Sequence, residues 1–322
     1  VRRRVRAGNL AMAKKLLAPL PLQYLLRGEW STLTIAPVGA RRMAPELDLR
    51  LPRNLRQSAF QVSEGTVSAY DLDGPVSVDA KAGSLLLDRI QARVDCRTGG
   101  GEIRLGRIGG AIKCLSGGGG ISVQGAGGEA TLETAGGEVF VREALGPVSA
   151  MTGGGNIQIQ RALSLVTAHT SGGLVEVNQA MGMVRANTSG GAIQIGVANG
   201  VKCESSAGTI ELQSVRGALR ASTAMGSILV NIHGARLEDS FLNTSAGDIL
   251  VFLPSNLAVT VQAENDAAGA LGKILSDFPE IRTLSGIWST GKPMQAGGAL
   301  NGGGPMLKLS ATGGIIYLKR QK

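Results

Sequence analysis

Two apolar positions, two and four residues after a glycine, recur down this chain at an interval of 18 residues. Gly65, Gly83, Gly101, Gly119, Gly137, Gly155, Gly173 and Gly191 keep that interval without a break, and Gly208, Gly226 and Gly247 continue it at 17, 18 and 21. The pairs that follow are aliphatic almost throughout, as in Ile103/Leu105, Val139/Val141, Ile193/Ile195 and Ile249/Val251. A second alternation precedes each glycine at minus seven, minus five and minus three: Val94, Cys96, Thr98; Ile112, Cys114, Ser116; Val166, Ala168, Thr170. Alternation with period two marks a strand with one buried face. Each unit therefore predicts two short strands, such as 102–105 and 111–116, joined at glycine-rich corners. A third inward position, seven after the glycine, is mostly small: Ala126, Ala144, Ala162, Ala180 and Ala198.

A unit this short cannot bury its own apolar face and must stack on its neighbours. The expected fold is all-β: a single-chain parallel β-solenoid (β-helix) of 18-residue coils. Eleven coils at the spacing of parallel strands would be about 50 Å long. Thr or Ser stands at minus three from Thr98 to Thr244, where a buried hydroxyl is expected to bond the backbone of its own or the next coil.

The ends depart from this pattern. Residues 1–58 read as a basic cap or anchor leading into the solenoid, 59–264 as the solenoid, 265–306 as an irregular insertion and 307–322 as a terminal coil. Residues 31–62 alternate as strands off the main period. Residues 268–284 predict a short helix interrupted at Pro279, and 291–304 a flexible loop. His169 is expected to point outward, and His233 to occupy the small inward column.

Charge sharpens the contrast. Residues 1–58 hold 12 Lys and Arg against 3 Asp and Glu, while the rest of the chain holds 21 of each. The repeats are electrically balanced, and the whole net charge of +9 lies ahead of them. Arg2, Arg3, Arg4, Arg6, Lys14, Lys15 and Arg27 flank an apolar stretch broken by Pro19 and Pro21, with Leu16, Leu17 and Tyr24 in it and Trp30 just beyond. This composition suits an anionic membrane surface or a membrane-bound partner; the alternative is a helix capping the open end of the solenoid. Trp288, in the insertion, is either a cover for the last coil or a contact anchor. No secretory signal peptide is expected within 1–28, because no uninterrupted apolar core follows the basic start. No apolar run is long enough for a transmembrane helix.

The units Thr188-Ser189-Gly190-Gly191-Ala192-Ile193-Gln194-Ile195 and Thr244-Ser245-Ala246-Gly247-Asp248-Ile249-Leu250-Val251 resemble those of a bacterial adhesin-like family of uncharacterised β-solenoid domains. The Leu-Pro-x-x-Leu segment at 253–257 and the closing Thr-Gly-Gly-Ile-Ile are similar too. The resemblance covers about residues 45–320. It implies the solenoid fold and a location outside the cytoplasm or at a membrane, with no catalytic residues to carry over.

The residues offer little chemistry. Cys96, Cys114 and Cys203 share the minus-five column without any Cys-x-x-Cys or Cys/His set, so they read as small core residues and no metal is expected. The residue after each glycine varies, so the carboxylate ladder of a calcium-binding roll is missing. Glu176 and Glu211, two coils apart, are the best match to a glycosidase pair, but read as a solvated face. Positive charge without a stacking aromatic face argues against nucleic acid. The expectation is a non-enzymatic structural or interaction protein without a cofactor. It would be peripheral to a membrane, with the cytoplasmic face favoured, and would dock on the surface or on a membrane protein complex. Protein partners would meet outward apolar residues such as Phe140, Leu174 and Leu229. An extracytoplasmic adhesin or carbohydrate-binding module is the alternative, and a polysaccharide-cleaving enzyme the third choice.

Overall fold

The computed structural model describes residues 22–27, 30–35, 50–266, 273–283 and 294–321. They belong to two units, divided between Pro52 and Arg53. In the first, Leu22–Arg27 and Trp30–Ile35 form an antiparallel hairpin, in register from Leu22 opposite Ile35 to Arg27 opposite Trp30. The strand at 32–35 agrees with its alternation. The 22–27 segment is a strand where a capping helix is one expectation: Tyr24 on one arm and Trp30, Thr32, Thr34 and Ile35 on the other favour pairing. Arg2, Arg3, Arg4, Arg6, Lys14, Lys15, Leu16, Leu17 and Trp288 lie outside the described residues.

The second unit is the parallel β-solenoid. Each coil contributes two strands, and each strand pairs in parallel with its equivalents one coil away: Ile121 lies between Ile103 and Val139, and Ala150 between Leu132 and Ala168. The inward columns form one continuous core between the strand stacks. The first coil starts at Ser58–Glu64, with Ser58 opposite Val76 and Val62 opposite Ala80. Residues 58–62 are therefore on the main period rather than off it.

The glycine column has a steric cause. A β-carbon on Gly155 would overlap the carbonyl of Gly137, and the same holds at each repeat glycine from Gly83 to Gly247, against the glycine of the preceding coil. At Gly154, one residue earlier, a β-carbon would meet nothing. The minus-three hydroxyls complete the contact. Thr170 Oγ1 donates to the Gly155 carbonyl of the preceding coil at 2.9 Å and accepts from the Gly173 amide of its own coil at 3.1 Å. Thr98, Ser116, Thr134, Thr152, Thr188 and Ser205 repeat both bonds. The bonding reaches back to the preceding coil, and it satisfies a buried hydroxyl on both sides.

Three corrections concern the later coils. His233 is exposed, and Ile232 fills the inward position opposite Val215, because the Gly226 coil is one residue shorter between its inward positions. Residues 268–284 hold no described helix; Lys273–Ser276 and Arg282–Thr283 are strands, and Met294–Leu300 is a strand inside the expected loop. The last coil in sequence is also not the last in space. Met306–Ala311 and Ile315–Arg320 pair with Ser240–Ala246 and Ile249–Leu253 on one side. On the other side they pair with Val259–Asn265 and Lys273–Ser276. The end of the chain is thus intercalated between two layers that precede it. Asn265 fastens the junction, donating to the Gly314 carbonyl at 2.9 Å. Met294–Leu300 then pairs antiparallel with Val259–Asn265 and covers its outer edge. Among the described residues no helix is long and apolar enough to cross a membrane.

Gly155→Ala should cost about 1–3 kcal/mol or more, as overpacking against a backbone that cannot yield, whereas Gly154→Ala should be near neutral; chemical denaturation of the pair measures the difference. Thr170→Val, which keeps the shape but strands a carbonyl and an amide, should cost about 1–3 kcal/mol, with Thr170→Ser recovering most of it in the same assay.

Candidate binding surfaces

The strands that follow the repeat glycines turn their outward side chains onto one face of the solenoid. Across the first five coils that face is hollowed into a groove of about 1090 Å³. Its floor is low because Gly106, Ser122 and Gly125 stand where the preceding coil carries Asp88, Arg104 and Arg107. Gly106 has a specific reason to lack a side chain: a β-carbon there would overlap Asp88 Oδ1. The Asp88 carboxylate lies across this gap and accepts from the Arg89 and Arg107 amides, both at 2.9 Å.

One wall is built on an unusual backbone. Asp71 and Arg89, equivalent positions in the first two coils, both have left-handed φ, 59° and 55°. Such φ costs a non-glycine residue about 1–2 kcal/mol and needs local compensation. Arg89 supplies it with a two-pronged pair to Asp71, Nε to Oδ1 at 2.6 Å and the second prong at 2.9 Å, and a further bond to Asp88 at 2.6 Å. Its guanidinium also sits 5.9 Å from the centre of the Tyr70 ring. The hydrogen bond from Arg89 holds the Asp71 carboxyl below its ordinary 3.8, and the same bond raises Arg89. The groove's other charges divide into paired and unpaired. Arg104 is tied to Glu102 at 2.6 Å, Arg53 to Asp73 at 3.4 Å and Glu143 to Arg161 at 3.6 Å. Arg107 and Arg142 are exposed, and their guanidinium groups have no ion-pair or hydrogen-bond partner among the described residues.

The groove ends at Leu145, where a second surface begins. Leu145, Leu163 and Met181 occupy one corner of three successive coils and are 54%, 39% and 44% exposed. Pro147, Leu165 and Met183 run alongside two residues later, forming a stacked apolar ridge. The amides of Leu145, Leu163 and Met181 donate to the carbonyls of Ala126, Ala144 and Ala162 of the preceding coil, all at 2.9 Å. Phe140, Leu174 and Leu229, the outward apolar residues expected from sequence, are half-buried against neighbouring coils instead.

No family model matches this chain, and neither does any curated protein or solved structure. Any assignment must therefore come from these surfaces.

The remaining sequence candidates are dispersed. Glu176 and Glu211 flank Gln194 in register, as their column implied, but Glu176 accepts from Gln158 at 3.1 Å and neither lines the groove. Cys96 and Cys114 are stacked neighbours in the core, and Cys203 lies apart from them. The hydrogen bond of the Cys114 thiol to Cys96, together with burial, pushes Cys114 up, and burial is the main cause that pushes Cys203 up, so these two thiols stay protonated and inert. His169 is exposed, as its outward column requires. In the hairpin, Tyr24 pairs with Leu33 and Arg27 with Trp30. Both surfaces escaped the sequence reading, yet the ridge had a signal. The column eight after the glycine reads Gln91, Gly109, Gly127, Leu145, Leu163, Met181, Asn199, an apolar block in an otherwise polar or glycine series.

The Asp71 pair gives a pH test. Since its folded pKa is depressed, its contribution is present above the ordinary carboxylate value and fades as pH falls through and below it. The gap in Tm between the native protein and Asp71→Asn should hold constant above about pH 5 and close toward about pH 3; a gap unchanged down to that pH would assign the effect elsewhere.

Proposed function

We propose that this protein is a non-enzymatic interaction scaffold, a rigid β-solenoid held at a membrane protein assembly as an accessory subunit. The ridge of Leu145, Leu163, Met181 and Met183 carries this reading. Apolar side chains stacked on one corner of a rigid fold, rather than scattered singly, mark a surface that a partner covers. Methionine suits such a surface because its flexible thioether adapts to a facing shape. The occupant we assign is an apolar protein surface of a membrane-bound subunit. The excess of basic residues in 1–58 supports a membrane setting, since it can hold the chain near anionic lipid while the neutral repeats stay free to dock.

The test is recovery of the protein with native membranes. Leu163→Asp combined with Met181→Asp should leave the Tm unchanged within error and abolish co-purification with the partner complex; deletion of 1–28 should shift the protein to the soluble fraction. Undiminished recovery of the ridge variant sinks the docking assignment. Because the three native thiols are buried, a single Leu163→Cys variant reports the side of the membrane through a membrane-impermeant thiol reagent. With the cytoplasmic face expected, labelling should appear only after permeabilisation.

A further inference from the structure

We propose that the groove over the first five coils binds an acidic oligosaccharide, a chain of sugars bearing carboxylates at intervals. This goes beyond the docking role assigned to the ridge and does not depend on it.

The groove's charge pattern decides the ligand class. Arg89, Arg104 and Arg53 are neutralised by carboxylates, which leaves Arg107 and Arg142 as its uncompensated cations. Arg107 belongs to the Gly101 coil and Arg142 to the Gly137 coil, two steps apart, so their strands lie about 10 Å apart along the solenoid. Between them stand Ser122 and Gln124, neutral groups able both to donate and to accept. A matching ligand carries negative charges at intervals of that order, separated by hydroxyl or amide groups. Guanidinium forks favour carboxylate in a two-pronged geometry.

Other anions fit less well. A nucleic acid strand brings a denser row of phosphates than two cations on strands about 10 Å apart can match. An extended peptide draws its affinity from a free strand edge. Here the strand Ile103–Ile108 is already paired with Leu85–Ile90 and Ile121–Ala126, and Ile121–Ala126 with Val139–Ala144, so the groove floor offers side chains rather than backbone. A membrane surface cannot follow a concavity bounded by the Asp71–Arg89 wall. At that wall, 44% of Tyr70 is exposed, offering an amphipathic ring at one end of the groove.

The rigidity of the site completes the case. Left-handed backbone at two equivalent residues, locked by a two-pronged ion pair and a carboxylate laid over Gly106, holds the wall in place before any ligand arrives. Preorganisation of this kind lowers the cost of binding a flexible chain.

The experiment is calorimetric titration of the full chain at low salt. Its principal probe is a hexasaccharide of alternating uronic acid and N-acetylhexosamine. A neutral hexasaccharide, a glutamate-rich peptide of equal charge and inorganic phosphate serve as comparison probes. The expected result is saturable binding of the acidic hexasaccharide that weakens as salt rises. Arg107→Gln and Arg142→Gln should each weaken it about tenfold, the loss of one charge-assisted contact, and Arg185→Gln, outside the groove, should not. Ser122→Phe fills the floor without changing charge and should abolish binding; circular dichroism and Tm check that each variant is folded. Absence of binding, equal binding of the neutral sugar, tighter binding of the peptide or phosphate, or an unaffected Ser122→Phe variant would each overturn the proposal. The ridge assignment stands or falls separately, by recovery with membranes.

Discussion

Everything in the solenoid depends on how closely the backbone of one coil can lie over the backbone of the next at a single corner. The repeat glycine's α-carbon is seated on the carbonyl of the glycine before it, with no room for a β-carbon. A Thr or Ser hydroxyl three residues earlier bridges the same two glycines through backbone amide and carbonyl. Sterics and hydrogen bonding therefore specify the same register at the same place. That agreement explains why the corner hardly varies while the outward positions vary freely. It also explains why a coil of 17 or 21 residues can be admitted: a length change is absorbed elsewhere, as long as the glycine returns to its seat.

A scaffold fixed by its backbone leaves the outward columns free to carry specificity. In such a fold, a binding surface is made by reading down a column across coils rather than along a loop. The groove arises where consecutive coils place Gly106, Ser122 and Gly125 on the outward face, and the ridge where they place Leu145, Leu163 and Met181. Leu145 belongs to both surfaces, so the two lie next to each other on the same side of the fifth coil. A partner on the ridge and a ligand in the groove would be neighbours, close enough for one to influence access of the other.

The far end obeys a different logic. A growing stack normally adds coils in chain order, each on an edge left by the one before. Here Val259–Asn265 and Lys273–Ser276 take an outer layer, and residues 306–320 then enter between that layer and the Gly247 coil. The intercalated coil keeps the glycine seat, Gly314 over Gly247, despite a separation of 67 positions in the chain. Both of its edges are satisfied by parallel pairing, so the last coil ends as interior structure. The outer edge of Val259–Asn265 is covered by the antiparallel strand Met294–Leu300, itself paired in part with Arg282–Thr283, so that parallel edge is not presented to another chain.

The coil architecture was legible from the chain because its causes are local and repeated. A glycine every 18 residues, aliphatic pairs at fixed offsets and a hydroxyl at minus three each report a contact with an identical neighbour, so one coil describes the rest. The inward fate of Cys96, Cys114 and Cys203 and the outward fate of His169 followed from the same bookkeeping. His233 failed because a one-residue shortening between inward positions reverses which side chain faces in; period-two structure has no tolerance for such a slip. The intercalated end was hidden for another reason. Pairing partners 67 residues apart leave the same alternation as partners 18 apart, and the alternation does not record which edge a strand chose. The groove and the ridge depend on which outward columns neighbour one another across coils, and on guanidinium groups finding or lacking carboxylates there. The sequence alone thus determined the repeat, its core and its stacking, whereas only the tertiary structure decided the order of the last layers and the surfaces where binding is proposed. The difference is that backbone seating recurs in every coil, while edge choice and charge pairing are settled once, between residues far apart in the chain.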